Sequence, residues 1–90
     1  MILAKVVGNI VATRKDEKLR GAKLLVIQPV ALDGSLGGSL LIAKDTVGAG
    51  AGETVIVVQG SSARMAHLSK DVPLDAAIIA IVDEIKVDSG

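Results

Sequence analysis

The opening stretch, MILAKVVGNIVAT, alternates along its length. Ile2, Ala4, Val6, Ile10 and Ala12 share one face, while Lys5, Asn9 and Thr13 fall on the other among Leu3, Val7 and Val11. A period of two, carried by β-branched residues, predicts a strand. The charged run RKDEKLRG ends in Gly21 and reads as a solvated turn. AKLLVIQPV is a second strand, apolar on both faces and closed by Pro29, which has no amide proton to continue a ladder. ALDGSLGGS holds the turn pairs Asp33-Gly34 and Gly37-Gly38. LLIAKD and TVIVVQ predict two more short strands, joined by the glycine-rich stretch DTVGAGAGETV.

The pattern then changes. GSSARMAHLSK predicts a short helix, capped by Ser61 or Ser62 and carrying Ala63, Ala66 and His67 on one side. After DVPLD, the stretch AAIIAIVDEIKV predicts a last strand whose Ile79, Ile81, Ile85 and Val87 line one face, interrupted by Asp83. Strands follow one another without βαβ alternation. The expected fold is all-β: a small five-stranded antiparallel barrel of oligonucleotide-binding (OB) type with one short helix, or else a small sandwich. No repeat, linker or low-complexity segment divides residues 1–90, so one domain is expected.

Composition sharpens this. Half of the 90 residues are hydrophobic and none is aromatic, so Val, Ile, Leu and Ala must build the whole core. A domain this small cannot easily hide so much apolar side chain, and the surplus predicts self-association. Ten basic and ten acidic residues cancel, which argues against a nucleic-acid partner. Cysteine is absent, excluding disulfides and thiolate metal sites and suiting the cytosol. No secretory leader is visible. The longest apolar run, LDAAIIAIV, is far short of the roughly 20 residues that span a bilayer. A soluble protein is expected.

Each candidate for chemistry has a plainer reading beside it. A Walker loop requires Gly-Lys-Ser/Thr, but Gly52 is followed by Glu53 and Thr54. Dinucleotide folds space their glycines differently and open a helix, whereas Gly48, Gly50 and Gly52 are spaced by twos ahead of a strand. A tight backbone turn is the better reading. His67, the only histidine, lies near Ser61, Ser62 and Asp71, but no nucleophile elbow surrounds either serine. Asp75, Asp83 and Glu84 are not concentrated in one loop as a hard-cation site requires, and Asp83 is expected to find a backbone or arginine partner. The basic run Arg14, Lys15, Lys18, Arg20 and Lys23 is diluted by Asp16 and Glu17. Single-strand binding would also need aromatic platforms. A solvated turn or a polar inter-subunit rim is expected there. No catalytic, cofactor-binding or metal site follows.

Taken together, VVGNIVATRKDEKLRGAKLLVIQPV, DTVGAGAGETVIVV, GSSARMAH and PLDAAIIAIVDEI, in that order, resemble the signature segments of the EutN/CcmL family of microcompartment shell vertex proteins. The resemblance covers nearly the whole chain, including the unusual GAGAGE loop and GSSAR turn. It implies a five-stranded barrel with a short helix, assembled as a homopentamer in the shell of a cytoplasmic bacterial microcompartment. Partners would be the hexameric and pseudohexameric shell proteins, with no nucleic acid, membrane or cofactor involved. The implied role is structural rather than enzymatic: five-fold positions introduce the curvature that lets a hexagonal sheet close. Under this reading Val47, Gly48, Ala49, Gly50, Ala51 and Gly52 form a subunit interface, and Gly60, Ser61 and Ser62 lie near the central axis. The loop ALDGSLGGSLL would set contacts with neighbouring tiles. The chain departs from some members in stopping soon after the final strand, and with the GSSARMAH form this looks more like catabolic, aldehyde-handling compartments than carboxysomes. The rivals are an OB-like ligand- or oligonucleotide-binding module and a small hydrolase using Ser62 and His67.

Overall fold

The structure, a computed structural model, describes residues 1–12, 17, 21–60 and 75–88. Its strands are β1 (Ile2–Ile10), β2 (Leu24–Pro29), β3 (Leu41–Asp45), β4 (Thr54–Gln59) and β5 (Ala76–Val82). They close into a barrel in the order β1-β2-β3-β5-β4, so the sandwich alternative is set aside and the OB-like barrel holds. Four ladders are antiparallel and the fifth, β3 against β5, is parallel, with Lys44 opposite Ala77 and Asp45 opposite Ile78. The expected short helix falls on residues 61–74, outside the described residues.

β1 is the strand on which closure depends. Its first half pairs with β4 (Leu3 opposite Ile56) and its second half with β2 (Ile10 opposite Leu24). Ala4 and Lys5 pair with both neighbours at once, and passing from one to the other around the barrel curves the strand. The register shifts between Val6 and Gly8, where a bulge supplies the bend. Gly8 sits opposite Val26, and a Cβ there would meet that side chain at an ordinary 3.7 Å.

The interior is filled by Ala4, Val6, Leu25, Ile27, Ala43, Val55, Val57 and Ile78, with Ile2, Leu41 and Ile81 packed against them. A five-stranded barrel is narrow, so alanine and branched aliphatics suffice and aromatics are not missed. Among the described residues no polar or charged residue is buried as a whole, although the side chain of Asp45 is covered. Apolar side chains also remain outside, among them Val7, Val11, Leu32, Leu36, Leu40, Ile42, Ile85 and Val87.

One expectation fails at the C-terminus. The last strand was expected to run through Val87, but β5 ends at Val82. Val82 lies opposite Thr54, the first residue of β4, so beyond it the ladder has no partner. Alternation continues in the sequence while pairing stops. Asp83, expected to need a partner on an apolar face, lies exposed just past the strand.

Ile27, wholly buried, separates core from surface. Ile27→Ala is expected to lower unfolding stability by about 2–5 kcal/mol, against less than about 0.5 kcal/mol for the exposed Val11→Ala. Urea denaturation at one fixed protein concentration measures both.

Candidate functional site

The glycine stretch lies between β3 and β4 and is held by three charged side chains. Asp45, the last residue of β3, turns its carboxylate back over the loop. Oδ1 accepts the amides of Val47 and Gly48, both at 3.0 Å. This is the Asx pattern, in which a side-chain oxygen replaces a backbone acceptor at a turn. Oδ2 lies 3.4 Å from Nζ of Lys23, and the Asp45 side chain is only 2% exposed. Lys23 Nζ also donates to the Ala49 carbonyl at 2.9 Å, while the Lys23 carbonyl accepts the Asp45 amide at 2.9 Å. At the far end, Glu53 Oε1 accepts the Gly50 amide at 2.6 Å. The Glu53 carbonyl accepts from Val6, and the Gly52 amide donates to the Val6 carbonyl, both at 2.9 Å. Thr46 Oγ1 donates to the Ile78 carbonyl at 2.6 Å. The stretch is therefore a packed turn, stitched to β1, to β5 and to Lys23 just before β2.

The electrostatics follow from that geometry. Burial pushes the Asp45 carboxyl upward, but the amides of Val47 and Ala49 and the Lys23 ammonium outweigh it and hold the pKa below the ordinary 3.8. The glycines divide by role. Gly48 and Gly52 have φ of 80° and 83°, the left-handed region, whereas Gly50 does not. A Cβ on Gly50 would meet only the tip of the Glu53 side chain, at 3.3 Å.

Not every residue of the stretch faces outward. Ala49 is wholly buried and belongs to the barrel core, so its side chain offers no surface to another subunit and is removed from the candidate interface. Val47, Gly48, Ala51 and Gly52 are the exposed members, with Gly50 half-buried. Gly60, the candidate axial residue, adopts φ 65° just beyond β4, and its amide donates to the Asp75 carbonyl at 2.8 Å. The chain therefore leaves and rejoins the barrel at one point. Gly52 and Gly60 bracket β4, about 20 Å of strand apart, so the two candidate groups are not brought together. Ser61, Ser62, His67 and Asp71 lie outside the described residues, as do Arg14, Lys15, Lys18 and Arg20. Asp75 and the pair Asp83 and Glu84 stand at opposite ends of β5. Among the described residues, no group of three or more His, Asp or Glu side chains is placed to hold a metal ion.

Sequence reasoning missed Lys23, Asp45 and Glu53 as the loop's anchors. Asp45 two and three residues ahead of the bonded amides carries a usable turn signal. Lys23 does not: its contact lies 26 residues along the chain.

Comparison with known proteins decides the family. The model of the family described as "Ethanolamine utilisation protein EutN/carboxysome" matches residues 1–83. The chain belongs to the EutN/CcmL family. It is 45% identical over 85 residues to the bacterial microcompartment shell vertex protein EutN of Salmonella typhimurium, covering 94% of this chain and 86% of that protein. It is 42% identical over 89 residues to the carboxysome shell vertex protein CcmL of Thermosynechococcus vestitus, covering 99% and 90%. Among solved structures, the GrpN pentameric microcompartment shell protein from Rhodospirillum rubrum superposes with a TM-score of 0.87 at 46% identity, covering 98% of this chain and 100% of that one. The glycine turn and all five strands of this EutN/CcmL chain lie inside the matched region.

Two outcomes test the turn. Because the folded-state pKa of Asp45 is depressed, its contribution to stability is present above the unfolded pKa and is lost as pH falls through the folded one. Wild-type stability should therefore decline below about pH 4, and Asp45→Asn should flatten that decline while lowering stability at pH 7 by about 1–3 kcal/mol; urea midpoints across pH measure this. Gly48→Ala should cost about 1–2 kcal/mol for the left-handed backbone, and Gly50→Ala clearly less.

Proposed function

We propose that this chain is a structural shell protein that forms homopentamers at the five-fold vertices of a bacterial microcompartment. The observation that carries this reading is the 46% identity and near-complete overlap with the pentameric GrpN shell protein. The physical chemistry supports it. A closed barrel with a dry apolar interior still leaves several large aliphatic side chains in water, as expected of a subunit whose remaining apolar surface is covered by copies of itself. No catalytic role is assigned. An OB-like oligonucleotide binder would need stacking platforms, and the sequence has no aromatic residue.

The action is geometric. A sheet of hexagonal tiles is flat, and replacing a six-fold position by a five-fold one removes a wedge and creates curvature. A vertex protein therefore works by its symmetry and by the fit of its rim to hexameric and pseudohexameric tiles. In this reading the exposed part of the glycine turn, Val47, Gly48, Ala51 and Gly52, meets the next subunit, where the lack of side chains lets backbones approach. Gly60, Ser61 and Ser62 surround the axis. The 31–40 loop, which exposes Leu32, Leu36 and Leu40, meets the tiles. That loop is itself ordered: Asp33 Oδ1 accepts the Ser35 hydroxyl at 2.6 Å and amide at 2.9 Å, and Gln28 Nε2 donates to the Gly37 carbonyl at 2.9 Å.

The compartment is proposed to be a catabolic one. The GSSARMAH form supports this; the relatives' identities, 45% for a EutN and 42% for a CcmL, do not separate the alternatives. Aldehyde-oxidising enzymes co-purifying with the shell would favour it, and carbon-fixing enzymes would overturn it.

Native mass spectrometry of the purified protein should give a species of five subunits; a stable monomer or dimer at micromolar concentration would overturn the reading. In cells expressing the hexameric tiles, omitting this protein should give open, elongated or leaky shells by electron microscopy, and restoring it should give closed ones. Val47→Asp should abolish that rescue by gathering five like charges around one axis. Ala49→Asp would put a charge inside the barrel and report on folding instead.

A further inference from the structure

The loop between β2 and β3 holds the pair Asp33-Gly34, the only place in the chain where glycine follows an aspartate. Such a pair can rearrange by itself. The Gly34 nitrogen attacks Cγ of Asp33, one carboxyl oxygen leaves as water, and a cyclic succinimide closes. Water then reopens the ring on either side. Breaking the bond from nitrogen to Cγ restores aspartate. Breaking the bond from nitrogen to the Asp33 backbone carbonyl carbon leaves the chain running through the side chain, as isoaspartate. One water leaves and one enters, and nothing is oxidised or reduced. Residues 31–40 are exposed, and a Cβ built on Gly34 would meet nothing within 4 Å. No neighbouring group shields this nitrogen by bulk, so any protection has to come from hydrogen bonds.

Both reacting groups are held by such bonds. The Gly34 amide donates to the Ala31 carbonyl at 2.9 Å. To attack, the nitrogen must give up that proton, which would leave it facing a carbonyl oxygen with no hydrogen between them. Asp33 Oδ1 accepts the Ser35 hydroxyl at 2.6 Å and the Ser35 amide at 2.9 Å, so the carboxylate is directed past Gly34 to the residue beyond it. The Ser35 hydroxyl first, and its amide second, hold the Asp33 carboxyl below the ordinary 3.8. The ionised form so favoured is the unreactive one, because its oxygen is a poor leaving group. The backbone is fixed as well. The Ala31 amide donates to the Ser35 carbonyl at 2.8 Å, and Gly34 sits at φ 88°. Closing the ring would draw Oδ1 off Ser35 and break the bond to Ala31 together.

We propose that Asp33-Gly34 is an isoaspartate-forming site that the folded loop keeps closed, with Ser35 holding the carboxylate away from the Gly34 nitrogen. The proposal does not depend on the ring assembly. Its consequence would bear on it, because isoaspartate adds a carbon to the backbone of the loop that exposes Leu32, Leu36 and Leu40. The bonds that shape this loop also keep it chemically intact.

Reopening of the succinimide in water enriched in heavy oxygen writes the label into the product. Trypsin, used afterwards in ordinary water, releases residues 24–44, in which Asp33 is the only acidic residue, and mass spectrometry reads the label there. Folded wild type should take up label at least about tenfold more slowly than the same protein unfolded in urea, because the reactive arrangement is a minor state of the folded loop. Ser35→Ala should raise the folded rate toward the unfolded one, and Ser35→Thr, which keeps the hydroxyl, should restore slow uptake. Gln28→Ala removes the donor to the Gly37 and Gly38 carbonyls without touching Asp33, and should stay near wild type. Equal uptake by folded and unfolded wild type would overturn the protection. Uptake by Ser35→Ala as slow as wild type, or acceleration by Gln28→Ala equal to that by Ser35→Ala, would overturn the role of Ser35.

Discussion

Closure of a five-stranded sheet on itself is the constraint from which the rest of this molecule follows. A barrel of so few strands has a bore that side chains alone must fill, and it is filled by residues no larger than isoleucine and leucine. Closure demands that strands curve while pairing on both sides, and the bulge beside Gly8 supplies curvature to β1. It pairs most of the sheet's backbone within the subunit, with β3 and β5 joined at Lys44–Ala77 and Asp45–Ile78. The chain has more aliphatic residues than the bore accepts, and those left over stand on the outer surface. In the proposed ring, neighbouring copies cover part of that surplus.

The glycine turn shows how a flexible composition becomes a fixed shape. Glycine and alanine in succession would make a mobile connector if nothing held them. Here a carboxylate at each end caps the free amides, and a lysine just before β2 crosses to the carbonyl of Ala49. Ala49 then enters the core and plugs the turn into the barrel. Left-handed backbone at Gly48 and Gly52 lets the chain reverse on either side of that plug. What remains outside is a low ridge almost without side chains, a surface suited to close approach by another backbone.

The relatives include vertex proteins of both carboxysomes and ethanolamine-type compartments at similar identity. The proposed five-fold role would tolerate such divergence, because it would depend on the symmetry of assembly and the outline of the rim.

Local regularity is what the amino-acid sequence determined by itself. Alternating β-branched residues, Pro29 at a strand end and paired glycines in turns marked all five strands, because strand pattern and turn chemistry are written in adjacent residues. The absence of aromatics and the surplus of aliphatics likewise foretold an aliphatic core and apolar side chains left uncovered. Tertiary structure alone decided the rest. β3 runs parallel to β5, Lys23 serves a turn far along the chain, and Ala49 faces inward although its neighbours face outward. The alternation of Ile85 and Val87 looks like more of β5, yet the strand ends at Val82 because β4 has no residue left to pair with it. Pairing, burial and salt bridges depend on what lies opposite in space, and that is settled only when the barrel closes.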